Sequence, residues 1–244
     1  MRDLAGEIDA TQAGTVLISS EHFSKHFDRP EALRLATDFS RYEPRIVITL
    51  RSLHGRFLSA YNTHVTAGGW LTIEEYARSV LIPVTRYMSM RETLLIWQEA
   101  FGAERIHVID YDAQIDVTPA ILRHCGFDES LAGTGRHRNR VSLLPGNIEA
   151  LRRANVAIKR TVARGDSLAG WAALSLLSIL CRQPLAMLSS MSRRRTWALS
   201  APAIKALDEI AASDRQFVAE TYGLALVGDA QARERILVSE TPPA

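Results

Sequence analysis

Residues 45–62 read RIVITLRSLHGRFLSAYN. The run from Ile46 to Leu50 is β-branched and apolar, and it ends at Arg51. Past Arg51 the pattern becomes helical and carries Ser59 and Tyr61. Ligands of open α/β sheets bind at the carboxyl ends of the strands. Arginine offers a planar fork of donors that matches phosphate oxygens. Ser59 follows Arg51 by eight residues, about two helical turns. A strand-end arginine and a helix hydroxyl at that spacing can converge on one anion.

Outward from this block, three runs have strand character: residues 15–19, 45–50 and 105–110. The first two are apolar on both faces, as in parallel strands covered by helices. Helical patterns separate them. One begins near Pro30 and carries Leu33, Leu35, Ala36 and Phe39. Another runs over residues 56–65. Thr72 followed by Glu75 is a capping-box signature. Residues 86–101 predict a further amphipathic helix, stopped by Gly102. This alternation argues a parallel sheet. Residues 128–145 read as a loop rich in Gly and Arg, and beyond it the chain reads as helical. Residues 168–181 are almost wholly apolar but fall short of the roughly 20 residues of a spanning helix. The following LAMLSSMSRRR, ending at Arg195, suits either a peripheral membrane contact or a core helix with a basic cap.

The composition is that of a folded protein: 47% hydrophobic over 244 residues, enough for a sizeable core. The net charge is +2 and the pI near 8.7. That balance suits an anionic ligand and argues against a nucleic-acid-binding protein. Cys125 and Cys181 lack CxxC spacing, so neither a metal site nor a disulfide framework is expected. They read as small core residues in a reducing compartment, and a cytoplasmic location is expected. No signal-peptide pattern opens the chain.

The block 45–62 resembles the 3′-phosphate-binding motif of sulfotransferases that use 3′-phosphoadenosine 5′-phosphosulfate (PAPS). In that family a strand ends in Arg, Ser follows eight positions later, and Tyr often comes two beyond. Arg51, Ser59 and Tyr61 match; the usual Asn-Pro after the arginine is Ser52-Leu53 here. TVLISSEHFS (15–24), LLIWQEAFGAERIHVIDYD (94–112) and GRHRNRVSLLPGNIEALRRAN (135–155) resemble segments of bacterial carbohydrate sulfotransferases. Their order and spacing add to the resemblance.

The resemblance implies a P-loop-NTPase-like α/β fold, a parallel sheet flanked by helices. Residues 1–155 would form its core and residues 156–244 a helical C-terminal extension. It implies PAPS as cofactor and a carbohydrate or glycolipid hydroxyl as acceptor. Arg51 and Ser59 would hold the nucleotide, and Arg136 and Arg138 of the late basic loop would close over it. Glu21 or His22, after the first strand, would take the acceptor proton; Glu21 also suits a helix start bound by backbone N–H groups. His54 and His64 flank the phosphate helix and read as incidental. The family's Gly-rich 5′-phosphosulfate loop has no counterpart: Gly14 stands alone, and no lysine adjoins Gly68 and Gly69. The chain opens in what reads as the end of a helix (Leu4, Ile8). The expectation is therefore a core truncated at its N-terminus. A non-catalytic binding module and a P-loop kinase-like phosphotransferase are the two alternatives.

Overall fold

The computed structural model describes residues 2–11, 13–20, 23, 28–114, 116–132, 143–162 and 196–238. In chain order its elements begin α1 (Arg2–Ala10), α2 (Arg29–Asp38), β1 (Ile46–Leu50), α3 (Leu53–Thr66) and α4 (Ile73–Leu81). They continue with α5 (Met90–Phe101), β2 (Ile106–Asp110), α6 (Thr118–His124) and α7 (Pro145–Val162). The last are β3 (Trp197–Leu199), α8 (Ala201–Tyr222), α9 (Asp229–Arg233) and β4 (Ile236–Val238). The protein is α/β, mostly helical, with small parallel sheets.

Two compact units interleave along the chain. One comprises Met1–Ser52, Ser89–Gly135 and Ala212–Val227; the other comprises Leu53–Met88, Arg136–Ala211 and Gly228–Ala244. Each has its own apolar core.

In the first unit β1 and β2 pair in parallel, with Ile46 opposite Ile106 and Leu50 opposite Asp110. Side chains alternate across a strand. Ile46, Ile48 and Leu50 therefore share a face with Ile106 and Val108, against Leu35, Phe39, Leu94, Trp97 and Val218. Helix α2 starts where the Pro30 signal places it. Asp28 accepts from the Glu31 amide and Glu31 from the Asp28 amide, both at 2.9 Å.

Two expectations need correction here. Residues 86–101 are not one helix: a 3₁₀ turn, Arg86–Met88, precedes α5. The break is at Ser89, which accepts from the Glu92 amide at 3.2 Å. Buried Asp214 takes the Met90 and Arg91 amides at 2.8 and 3.0 Å. These acceptors satisfy donors that a continuous helix would have used internally. Residues 15–19 are not a strand. They form no regular element and are unpaired among the described residues, with Val16, Leu17 and Ile18 exposed. An apolar run becomes a strand only where another backbone takes its N–H and C=O groups, and among the described residues none does.

In the second unit α3, α4, α7, β3 and α8 surround Leu53, Phe57, Ile148, Leu199 and Leu207. The Thr72–Glu75 capping box forms as the sequence predicts, with the Thr72 amide 2.7 Å from Glu75 Oε2. The expectation of helix alone beyond residue 145 is corrected by β3 and β4. They pair in parallel, with Trp197 opposite Ile236. Three residues are too few to print a period on the sequence. Among the described residues no helix is long and apolar enough to cross a membrane. Residues 168–181, LAMLSSMSRRR and Cys181 lie outside the described residues.

Candidate functional site

The carboxyl edge of the β1/β2 pair is the first candidate. The Tyr111 amide donates to the Leu50 carbonyl at 2.7 Å, carrying the ladder one step past both strands. Arg51 and Tyr111 thus leave the sheet side by side. The guanidinium carbon of Arg51 sits 5.5 Å from the Tyr111 ring centroid, within cation–π range. Arg51 Nε lies 3.5 Å from Asp112 Oδ1, yet its N–H makes no hydrogen bond although the atom is buried. At 3.5 Å the two atoms are close enough for an ion pair but too far apart for a hydrogen bond. The contact is electrostatic. The Arg51 side chain is 39% exposed, and with Nε buried that exposure belongs to the rest of the side chain.

Two acids shape this edge. Asp110 is buried, and its Oδ1 accepts from the Asp112 and Ala113 amides at 2.9 and 3.3 Å. Its Oδ2 accepts from the Val227 amide at 2.7 Å. Asp110 is thus held on both oxygens by backbone donors and fixes the turn after β2. Asp112 Oδ2 accepts from the Ser52 amide at 2.7 Å. Neither acid was singled out from the sequence. The signal was there as Asp-Tyr-Asp at the end of a predicted strand.

The other predicted residues fare differently. Ser59 is half-buried on α3, in the second unit. Tyr61 is a core residue: its ring meets Tyr76 at 5.5 Å and Trp197 at 5.3 Å, and its hydroxyl donates to Leu71 O at 3.2 Å. Burial, with Glu149 adding to it, pushes the Tyr61 hydroxyl pKa well above its ordinary value. Glu21, His22, Arg136 and Arg138 lie outside the described residues.

The second unit holds a cluster that no sequence signal announced. His54, at the start of α3, is 2% exposed. Its Nδ1 is 3.0 Å from Asp229 Oδ1 and its Nε2 is 2.8 Å from Asp208 Oδ1. Arg233 Nε donates to Asp208 at 2.9 Å and Arg233 Nη1 to the Ile236 carbonyl at 2.9 Å. Burial opposes ionisation of Asp208, but hydrogen bonds from His54 and Arg233 outweigh it and hold its pKa below the ordinary value. Carboxylates only accept, so both ring contacts are hydrogen bonds when the ring carries both protons. With both nitrogens engaged and the ring buried, His54 is a structural tie and has no nitrogen left for a substrate. The partners lie far along the chain, so spacing near His54 does not reveal them.

Among the described residues no group of three or more His, Cys, Asp or Glu is arranged to hold a metal ion. Comparison with family models, with curated proteins and with solved structures finds no match to this chain.

Proposed function

We propose that this chain is a sulfotransferase-like protein of the P-loop-like α/β kind, which takes the 3′-phosphate of PAPS at Arg51. The observation that carries the reading is Arg51 itself. It stands at the carboxyl end of a parallel strand pair, backed by Tyr111, with a buried Nε that has no hydrogen-bond partner. That donor set fits a phosphate, whose oxygens match the guanidinium fork. Ser59 would add a hydroxyl, and Arg136 and Arg138 further charge. Glu21 or His22 would take the proton from a carbohydrate or glycolipid hydroxyl. PAPS, when bound, supplies the sulfuryl group. These roles rest on the sequence resemblance and the position of Arg51.

The test is calorimetric titration with adenosine 3′,5′-bisphosphate. Arg51→Ala and Ser59→Ala should each weaken binding about tenfold or more, the scale of one lost charge-assisted contact. Unchanged affinity in both folded variants would remove the reading.

A further inference from the structure

The Arg51 edge contains a residue that works against its own ligand. We infer that Asp112 is a built-in competitor for the anion taken by Arg51, and so sets how tightly that anion binds. The inference rests on the reading of Arg51 as a phosphate-binding residue.

The two acids at this edge differ in kind. Asp110 is buried, and three backbone amides hold its two oxygens. Asp112 is held by one described hydrogen bond, from the Ser52 amide at 2.7 Å. Its other oxygen stands 3.5 Å from Arg51 Nε, and that N–H has no hydrogen-bond partner. A committed arginine–carboxylate pair closes to about 2.7–2.9 Å, often through two parallel bonds. The pair here is therefore present but slack.

The donors that Asp112 borrows are those an anion would use. A backbone amide and a guanidinium, adjacent in sequence at a strand end, face one carboxylate. A phosphate monoester brings three acceptor oxygens and nearly two negative charges. It outcompetes a single carboxylate for the guanidinium but is repelled by the same carboxylate while it remains nearby. Removing the Asp112 charge relieves both the competition and the repulsion. If Asp112 instead merely holds Arg51 in position, removing its charge loosens Arg51 and weakens binding. The two roles predict opposite signs.

The experiment titrates adenosine 3′,5′-bisphosphate into the full chain and into Arg51→Ala, Asp112→Asn and Arg51→Ala/Asp112→Asn variants at one salt concentration. Asparagine keeps an oxygen for the Ser52 amide, removes the charge and puts an NH2 donor in place of the oxygen beside Arg51, so it no longer competes for the guanidinium. We expect Asp112→Asn to bind about tenfold more tightly, and the double variant to show no such gain. Unchanged or weaker binding by Asp112→Asn, with Arg51→Ala still weakened, would overturn the inference and leave the reading of Arg51 standing. No binding by any of the four proteins would overturn both. Should Asp112→Asn fail to fold, Asp112→Ser carries the same expectation.

Discussion

His54 and Asp229, 175 residues apart in sequence, meet at 3.0 Å between Nδ1 and Oδ1. The contact ties α3 to α9 in the second unit, and Asp208 of α8 closes the other side of the ring at 2.8 Å. Removing the buried ring takes one hydrogen-bond partner from Asp208 and one from Asp229, and a buried hydrogen bond lost in this way costs about 1–3 kcal/mol. His54→Ala should lower the unfolding free energy by about 2–3 kcal/mol, read from urea denaturation. Asp208→Asn should cost only about 1 kcal/mol, because that side chain is 43% exposed and water screens it. Equal losses from the two substitutions would contradict the network as described.

Asp214 caps α5 from α8. Its carboxylate takes the Met90 and Arg91 amides at 2.8 and 3.0 Å while 1% exposed. Asp214→Ala strands two helix-start donors in a buried place, and a loss of about 2 kcal/mol is expected. Asp214→Asn keeps one acceptor and should lose less. Thermal denaturation of the pair gives the order.

Gly69 is packed where a side chain does not fit. A Cβ there would lie 2.3 Å from His64 Nε2, and the His64 ring rests against Tyr76 at 5.2 Å. Buried Asn155 also holds the Gly69 and Val65 carbonyls, each at 2.9 Å, so the backbone cannot drift away. Gly69→Ala should cost about 1–3 kcal/mol. His64→Ala in the same chain should restore part of that loss. A double variant no more stable than Gly69→Ala alone would place the strain elsewhere.

His64 and Glu149 are two of the groups that shape the acid limb of stability. Burial lowers the His64 pKa from its ordinary 6.5. The unfolded chain therefore takes up that proton first, and stability present above about pH 6.5 falls as pH drops below it. The hydrogen bond from Arg152 lowers the Glu149 pKa from 4.5 against opposing burial. Its contribution is in place above about pH 4.5 and is lost as pH falls further. His64→Gln should flatten the first limb and Glu149→Gln the second, read from denaturant midpoints between pH 3 and 8. A first limb unchanged in His64→Gln would assign it to another group.

Much of the local structure was legible in the sequence. Residues 45–50 and 105–110 carry β-branched apolar runs, and they became β1 and β2. The Asp28–Glu31 and Thr72–Glu75 caps form because both partners lie within one turn. Gly102 ends α5 with φ +88°, a conformation that side chains resist. These signals act over three or four residues, so a one-dimensional reading finds them.

What the sequence determined by itself is therefore local: where helices start and stop, and which runs are apolar enough for strands. Whether such a run pairs was decided only in three dimensions. Residues 15–19 have the composition of a strand yet remain unpaired among the described residues, whereas Trp197–Leu199 and Ile236–Val238 have almost no pattern and pair. A ladder needs a second backbone, which composition does not supply. The same holds for the charges. Arg51 was visible as a strand-end arginine, but its slack pairing with Asp112 was not. His54 read as incidental until Asp208 and Asp229 closed on it. A charge acquires its role from what desolvates and faces it, and those neighbours are set by the path of the whole chain.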